Sequence, residues 1–300
     1  MPKLDIYSPA QLFSNEPPDL SSPQWRFLAE GDSWFSLGTL NLAKNSSLLA
    51  ELVFSLHACA INCATPGDTL KRMAQVNTDP NFIDLLCGKR ARHWDAILMS
   101  CGGNDLIEAV QSPPFDAAGQ PVPLALRLLR SVGEWGPAGE GAARYLSDEG
   151  WGTFCGYLMA NFEHLTGLRD GPQGASAGQP IFVHGYAYPT PRPAGAGFQI
   201  GPWLYPALRS YAIPDEDFIM LAHELITRLA ELFEAMVDDG ARFPNLHFFD
   251  SAAIDLEPAQ LESAGVSGDW VNEIHLTRAG YKKIAVAWGK AIEASLPTGS

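Results

Sequence analysis

Four residues of the 300-residue chain have the types and positions that acyl transfer requires. Ser33 follows a glycine and an aspartate at the end of a short apolar run, and Asn104 follows two glycines after a second apolar run. Gly67 lies between them in a Thr-Pro-Gly-Asp turn, and His275 comes late in the chain. Acyl transfer to water needs a nucleophile, a base within hydrogen-bond reach and donors for the developing oxyanion.

Each of these residues has a chemical role in such a site. Ser33 supplies a hydroxyl nucleophile, and His275 accepts its proton and returns it to the leaving alcohol. The backbone N–H groups of Ser33 and Gly67 and the side-chain amide of Asn104 are candidate oxyanion donors. The expected reaction is therefore hydrolysis of a carboxylic ester through an acyl-enzyme on Ser33.

Alternating strand and helix patterns indicate how these residues are positioned. Apolar runs predict strands at 25–30, 55–62, 94–100, 180–184 and 245–250. Helical spacing predicts helices at 48–53, 70–76, 79–90, 124–132, 145–168, 215–239 and 278–294. This order predicts an α/β fold with a parallel sheet covered on both faces. Because ligands bind at the carboxyl edge of such sheets, the candidate residues are expected to meet there.

The predicted elements suggest one domain with an arm and two insertions. Residues 1–24, rich in proline, serine and acids, are expected to form an extended arm, and residues 25–300 a single domain. Segments 111–144 and 185–214 are predicted to be insertions, the first folded over the site. The second is either a lid that contacts substrate or a packed surface loop.

The four motifs together resemble the sequence blocks of the SGNH (GDSL-type) hydrolases. They are Gly31-Asp32-Ser33, Gly67, Gly102-Gly103-Asn104-Asp105 and His275, and the resemblance spans residues 27–285. It implies a flavodoxin-like three-layer α/β/α sandwich with a five-stranded parallel sheet of order 2-1-3-4-5. It also implies ester hydrolysis without a metal or another cofactor.

The chain departs from the family pattern at two positions. Trp34 stands where the family has leucine, which is expected to alter packing or the acyl pocket. Asn272 stands three residues before His275, where the family usually has aspartate. Replacing the acid of a serine triad by an amide can lower turnover by about 10⁴. Asn272, Glu273, Asp269 or a backbone carbonyl could therefore orient His275.

Two other functions fit the same residues. A carbohydrate O-deacetylase would use the aromatic residues between Tyr186 and Tyr211 to stack on sugar rings. A ligand-binding protein without turnover would keep the site but lack the acid before His275. Substrate assays on acetylated sugars and simple esters distinguish these alternatives.

Charge and composition limit the expected partners. A formal net charge of -14 argues against an extended nucleic-acid surface, which leaves a small-molecule ester as the expected partner. The sequence has no run of eighteen apolar residues and no signal-peptide pattern at its first residues, so we expect no stable membrane insertion and a cytoplasmic location. The five cysteines contain no Cys-x-x-Cys pair, which fits a reduced compartment. The histidines lack metal-ligand spacing, and no metal is expected. The oligomeric state is not indicated.

Overall fold

A parallel sheet with helices against both faces forms the centre of the computed structural model, which describes residues 1–36, 46–197 and 200–296. Its strands are β1 (Asp5–Tyr7), β2 (Trp25–Gly31), β3 (Ala58–Asn62), β4 (Ala96–Ser100), β5 (Ile181–His184) and β6 (Leu246–Phe249). They lie in the order β1-β3-β2-β4-β5-β6, and all neighbouring strands are parallel. Without β1, this is the predicted order 2-1-3-4-5. The predicted fold class is therefore confirmed.

The prediction of five strands was wrong by one, because the N-terminal arm adds an edge strand. In β1, Asp5 lies opposite Cys59 of β3, and Tyr7 lies opposite Ile61. A three-residue segment is too short to show alternation in the sequence, but it can pair with the free backbone groups of an edge strand. A short helix, α1 (Pro9–Leu12), follows and is capped by the side chain of Ser8.

Helices fill most of the connections between the strands. They are α2 (Leu48–Glu51), α3 (Leu70–Met73), α4 (Pro80–Cys87), α5 (Gly103–Val110), α6 (Asp148–Asp170), α7 (Leu204–Ser210), α8 (Phe218–Asp238) and α9 (Arg278–Ser295). Short 3-10 helices occupy Leu124–Leu126, Val132–Glu134, Ala138–Tyr145, Asp215–Asp217 and Ser251–Ala253. Within the described ranges, no helix has both the length and the apolarity needed to cross a bilayer.

The helix predicted at 124–132 was wrong, since only its first residues form a 3-10 turn. Arg127 is buried and donates hydrogen bonds to the carbonyls of Val122 and Leu129 and to the carboxylate of Glu134. Leu129 also forms an isolated antiparallel bridge with Leu146. The Arg127 side chain and the bridge to Leu146 satisfy backbone groups of this segment in an extended conformation, so the local helical spacing of the leucines is overridden.

The two central strands bring the candidate residues to one edge of the sheet. Residues of β2 and β4 are almost entirely buried, as expected for strands covered on both faces. Gly31, the last residue of β2, is the register partner of Ser100, the last residue of β4. The turn that carries Ser33 and the first turn of α5, which carries Asn104, therefore follow adjacent strands and lie side by side.

Candidate active site

The turn after β2 carries Ser33 and is held close to β4. The Asp32 N–H donates to the Ser100 carbonyl at 3.0 Å. A Cβ atom on Gly31 would lie 2.6 Å from the Ser100 Cβ, so this approach requires glycine. Ser33 is 8% exposed at the edge of the sheet. The sequence Gly-Asp-Ser thus presents a hydroxyl at the mouth of a buried site.

Asp32 braces this turn through three side-chain hydrogen bonds. Its Oδ1 accepts from the Ser100 hydroxyl at 2.7 Å and from the Trp34 N–H at 2.9 Å, and its Oδ2 accepts from the Tyr186 hydroxyl at 2.6 Å. Burial raises the pKa of Asp32 to about 6, although these hydrogen bonds favour the carboxylate. The carboxylate therefore positions the turn that carries Ser33.

His275 lies directly against Ser33. Its Nε2 is 2.6 Å from the Ser33 Oγ, and the residue is 4% exposed. The loop that precedes α9 holds the histidine through a hydrogen bond from the Val271 N–H to the His275 carbonyl. Burial lowers the pKa of His275 to about 4, so the imidazole is neutral at pH 7 and its Nε2 can accept a proton.

Asn272 is the group that contacts the other nitrogen of this imidazole. Its Oδ1 lies 3.0 Å from the His275 Nδ1 and also accepts from the backbone N–H groups of Ile274 at 3.1 Å and His275 at 2.8 Å. Because two backbone donors require an acceptor there, the amide oxygen must face the imidazole. The Nδ1 is then the donor, and Nε2 presents its lone pair to Ser33.

The two acids considered as alternatives are engaged elsewhere. The Glu273 carboxylate accepts backbone N–H groups at the start of α7, including those of Leu204 at 2.9 Å and Tyr205 at 2.7 Å. The Asp269 carboxylate accepts from the Glu257 N–H at 2.8 Å and from the Lys283 ammonium at 2.7 Å. Among the four alternatives, Asn272 is the one whose side chain reaches His275.

Trp34 joins the nucleophile turn to the histidine loop. Its indole N–H donates to the Ile274 carbonyl at 3.1 Å. Its ring stacks on the buried His184 and meets the edge of Tyr186, with centroid distances of 5.5 Å and 5.0 Å. The departure from leucine therefore adds a hydrogen bond that a leucine side chain lacks.

The candidate oxyanion donors Asn104 and Gly67 differ in their position relative to the cavity beside Ser33. Asn104 lines the same cavity as Ser33, and its amide donates to the Asp68 carbonyl at 3.0 Å, which leaves its second amide hydrogen free for a ligand. Gly67 is exposed, has a φ of 86° and is not among the described residues that line the cavity. The structure thus brings Ser33, Asn104, Asn272 and His275 together, while Gly67 lies in the neighbouring loop.

Comparison with known proteins identifies similar solved structures. No protein-family model matches the chain, and no curated protein matches it. A carbohydrate acetylesterase from Sinorhizobium meliloti shares 13% identity over 90% of this chain and 99% of its own, with a TM-score of 0.46. A phospholipase A1 from Streptomyces albidoflavus shares 14% identity over 89% and 98%, with a TM-score of 0.48. An aryl esterase from M. smegmatis shares 15% over 91% and 100%, with a TM-score of 0.45.

The sheet order and the positions of the four motif blocks agree with the resemblance noted in the sequence. The chain has the parallel α/β/α fold that this resemblance implies.

Next to Ser33, this fold forms a small, partly open apolar cavity of about 40 Å³. Its walls combine the nucleophile turn, α5, the second insertion, α8 and the histidine loop. Its apolar lining residues are Trp34, Leu106, Ile107, Ala187, Pro189, Leu204, Ala222, Leu225, Ile226, Trp270 and Ile274. Since one water-sized group needs at least about 10–15 Å³, the cavity has room for roughly three such groups.

Sequence reasoning missed the contribution of α8 to this cavity. The spacing of its apolar residues predicted a buried face, and Ala222, Leu225 and Ile226 on that face also reach the site. Trp203 was among the aromatic residues noted in the second insertion, but its edge-on contact with His275, at a centroid distance of 5.4 Å, was not predicted. The sequence carries no signal for either contact, because both join segments far apart in the chain.

The two insertions relate differently to the cavity. The second supplies Tyr186, Ala187, Pro189 and Leu204 to its lining, although Phe198 and Gln199 lie outside the described residues. The first packs on α6 and α8, and none of its residues, all of which are described, lines the cavity. That 111–144 folds over the site stays a prediction, although Gln111 donates to the carbonyl of Trp203, which lies beside His275, at 3.0 Å. Leu128 and Leu129 of this segment are buried, whereas Leu126 is exposed.

Proposed function

We propose that the chain is a serine hydrolase that cleaves carboxylic esters through an acyl-enzyme on Ser33. The observation that carries this proposal is the 2.6 Å contact between the Ser33 Oγ and the His275 Nε2. Support also comes from the cavity beside Ser33 and from the Asn104 amide that lines it. These groups supply a nucleophile, its base and an oxyanion donor.

In the first half of the reaction, Ser33 Oγ attacks the ester carbonyl carbon while its proton moves to the His275 Nε2. The carbonyl electron pair moves onto its oxygen, which accepts hydrogen bonds from the Ser33 N–H and the Asn104 amide, with the Gly67 N–H as a third donor in this proposal. His275 then donates its proton to the alcohol oxygen as the carbon–oxygen bond breaks. The acyl group stays on Ser33.

In the second half, water replaces the alcohol. The water oxygen attacks the acyl carbon while His275 accepts a proton from the water. His275 then returns this proton to Ser33 Oγ as the carboxylic acid leaves. Each half transiently charges the imidazole. Asn272 offers that charge a neutral oxygen at 3.0 Å, so the imidazolium is stabilised less than it would be by a carboxylate.

The acyl group in this proposal is short. A cavity of about 40 Å³ has room for roughly three water-sized groups, which fits the heavy atoms of an acetyl or propionyl group. Its apolar walls are buried parts of α5, α8 and the histidine loop, so enlarging it would require repacking of the core.

Substitution of Ser33 tests the mechanism. The parent is expected to be labelled by a fluorophosphonate and to hydrolyse p-nitrophenyl acetate, and Ser33→Ala is expected to lose labelling and roughly 10³-fold or more of turnover. Ser36→Ala is the matched control, because its hydroxyl lies in the same loop but donates to the Asp32 carbonyl. Equal labelling and turnover in Ser33→Ala would refute the proposal.

The same assays address the two alternative functions. Tyr186 and Tyr211 are buried, which disfavours them as sugar-stacking residues, but Trp203 is partly exposed beside His275. An O-deacetylase would hydrolyse acetylated sugars better than p-nitrophenyl acetate, and Trp203→Ala would lower that preference. A binding protein without turnover would leave every ester intact.

A further inference from the structure

Three carboxylates from separate segments lie together behind the nucleophile turn. Glu30 is the penultimate residue of β2, Asp68 follows Gly67 in the loop after β3, and Asp79 caps α4. One oxygen of each lies within 4.8 Å of one oxygen of each of the others. Carboxylates at this separation repel one another unless a proton or a cation lies between them.

Glu30 gives a second and separate indication of a ligand. The residue is 0% exposed, and its Oε1 accepts from the Gly31 N–H at 2.7 Å. Its Oε2 is buried and has no hydrogen-bond partner among the described residues. A buried carboxylate oxygen without a partner is costly, and a bound cation would remove this cost.

We propose that Glu30, Asp68 and Asp79 bind one oxygen-preferring divalent cation, for which Ca²⁺ is the best fit. Ca²⁺ binds carboxylate oxygens at about 2.3–2.6 Å, so a single ion can contact oxygens that lie within 4.8 Å of one another. Asp68 is partly exposed and gives the ion access from solvent, whereas Glu30 and Asp79 form the buried floor. Water would complete the coordination on the open side.

Such an ion would stiffen the loop beside the candidate active site. The Asp68 carbonyl accepts the Asn104 amide at 3.0 Å, and Glu30 precedes the turn that carries Ser33. The cation would therefore join the end of β2 to the loop after β3, whose Asp68 carbonyl accepts the Asn104 amide. This role is independent of whether Ser33 acts as a nucleophile.

Calorimetric titration of the EDTA-treated and dialysed chain with CaCl₂, and separately with MgCl₂, tests the proposal. The parent is expected to bind one Ca²⁺ per chain more tightly than Mg²⁺ and to melt at a higher temperature with Ca²⁺ than with EDTA. Asp68→Asn is expected to weaken Ca²⁺ binding tenfold or more. The surface variant Glu262→Gln, far along the sequence and exposed, is expected to bind as the parent does.

Melting in EDTA shows whether Asp68→Asn is folded. Removing one of three mutually repelling charges is expected to leave its midpoint in EDTA equal to or above that of the parent, while its midpoint in Ca²⁺ falls below. Absence of calcium binding by the parent, or equal binding by Asp68→Asn and the parent, would overturn the proposal. In that case a shared proton, not a cation, separates the carboxylates.

Discussion

The Asn272 Oδ1 lies 3.0 Å from the His275 Nδ1, where it fixes the imidazole through a neutral hydrogen bond. The same oxygen accepts the backbone N–H groups of Ile274 and His275, so its orientation is set by the fold of the loop. The Nδ2 of this amide has no partner among the described residues. Asn272 thus fixes the position and the tautomer of the imidazole, but it supplies no negative charge to stabilise the imidazolium.

Asn272→Asp is expected to raise kcat/KM for p-nitrophenyl acetate by roughly tenfold or more. The carboxylate would keep the three hydrogen bonds to Oδ1, lose none at Nδ2, and stabilise the imidazolium that forms in each half-reaction. Asn272→Ala removes the acceptor for the imidazole Nδ1–H and is expected to lower kcat/KM. Steady-state kinetics of the three proteins measure these changes, and an unchanged rate in both variants would argue against Asn272 as the orienting residue.

The pH dependence of the parent should reflect the buried imidazole. His275 must be neutral to accept a proton, and burial lowers its pKa to about 4, so activity is lost only as the pH falls through about 4. At pH 5.5 the parent should retain nearly full kcat/KM, whereas a histidine with an ordinary pKa of about 6.5 would be mostly protonated.

The profile is measured from about pH 3 to pH 8, with thermal melting at each pH to separate protonation from unfolding. In Asn272→Asp the acidic limb should move to higher pH, because a neighbouring carboxylate favours the imidazolium. A limb near pH 6.5 in the parent would contradict the effect of burial.

Trp34→Phe is expected to uncouple the nucleophile turn from the histidine loop. The variant keeps an aromatic ring but leaves the Ile274 carbonyl without its indole donor, at a cost of about 1–3 kcal/mol in the free energy of unfolding. Trp135→Phe is the matched control, since its indole N–H also donates to a carbonyl, that of Arg130 at 3.0 Å. Both variants should have a lower melting temperature than the parent, but only Trp34→Phe should have a lower kcat. Equal kcat in the two variants would show that the contact is merely stabilising.

Ile226→Ala is expected to lengthen the preferred acyl chain. Ile226 lines the cavity beside Ser33, and its truncation adds space where the acyl group lies. Leu232→Ala on the same helix removes an equally buried side chain that is not among the described lining residues. In each of the two variants, the free energy of unfolding should fall by roughly 2–5 kcal/mol.

Rates on p-nitrophenyl acetate, butyrate and hexanoate measure the acyl preference. The parent and Leu232→Ala should prefer acetate, and Ile226→Ala should shift toward butyrate. A parent that prefers hexanoate would show that the cavity does not hold the acyl group.

Several features of the site were predictable because they depend on local chemistry. Gly31, Asp32 and Ser33 mark the end of β2, and Asn104 marks the start of α5, since a buried apolar run followed by glycine and polar residues indicates a strand end. The alternation of strands and helices similarly predicted the sheet order of the central five strands once the family resemblance was added. The helix at 124–132 failed for the opposite reason, because buried bonds of Arg127 replaced the local preference.

The sequence was sufficient to predict that Ser33, Asn104 and His275 follow strands at one edge of the sheet and to indicate acyl-transfer chemistry, because residue type and hydrophobic period are local properties. It left four alternatives for the partner of His275, and it gave no sign of the small cavity or of the Glu30, Asp68 and Asp79 cluster. Those features depend on distances between segments that are far apart in the chain. Such distances follow from how the sheet, α8 and the loops pack against one another, and they became visible only in three dimensions.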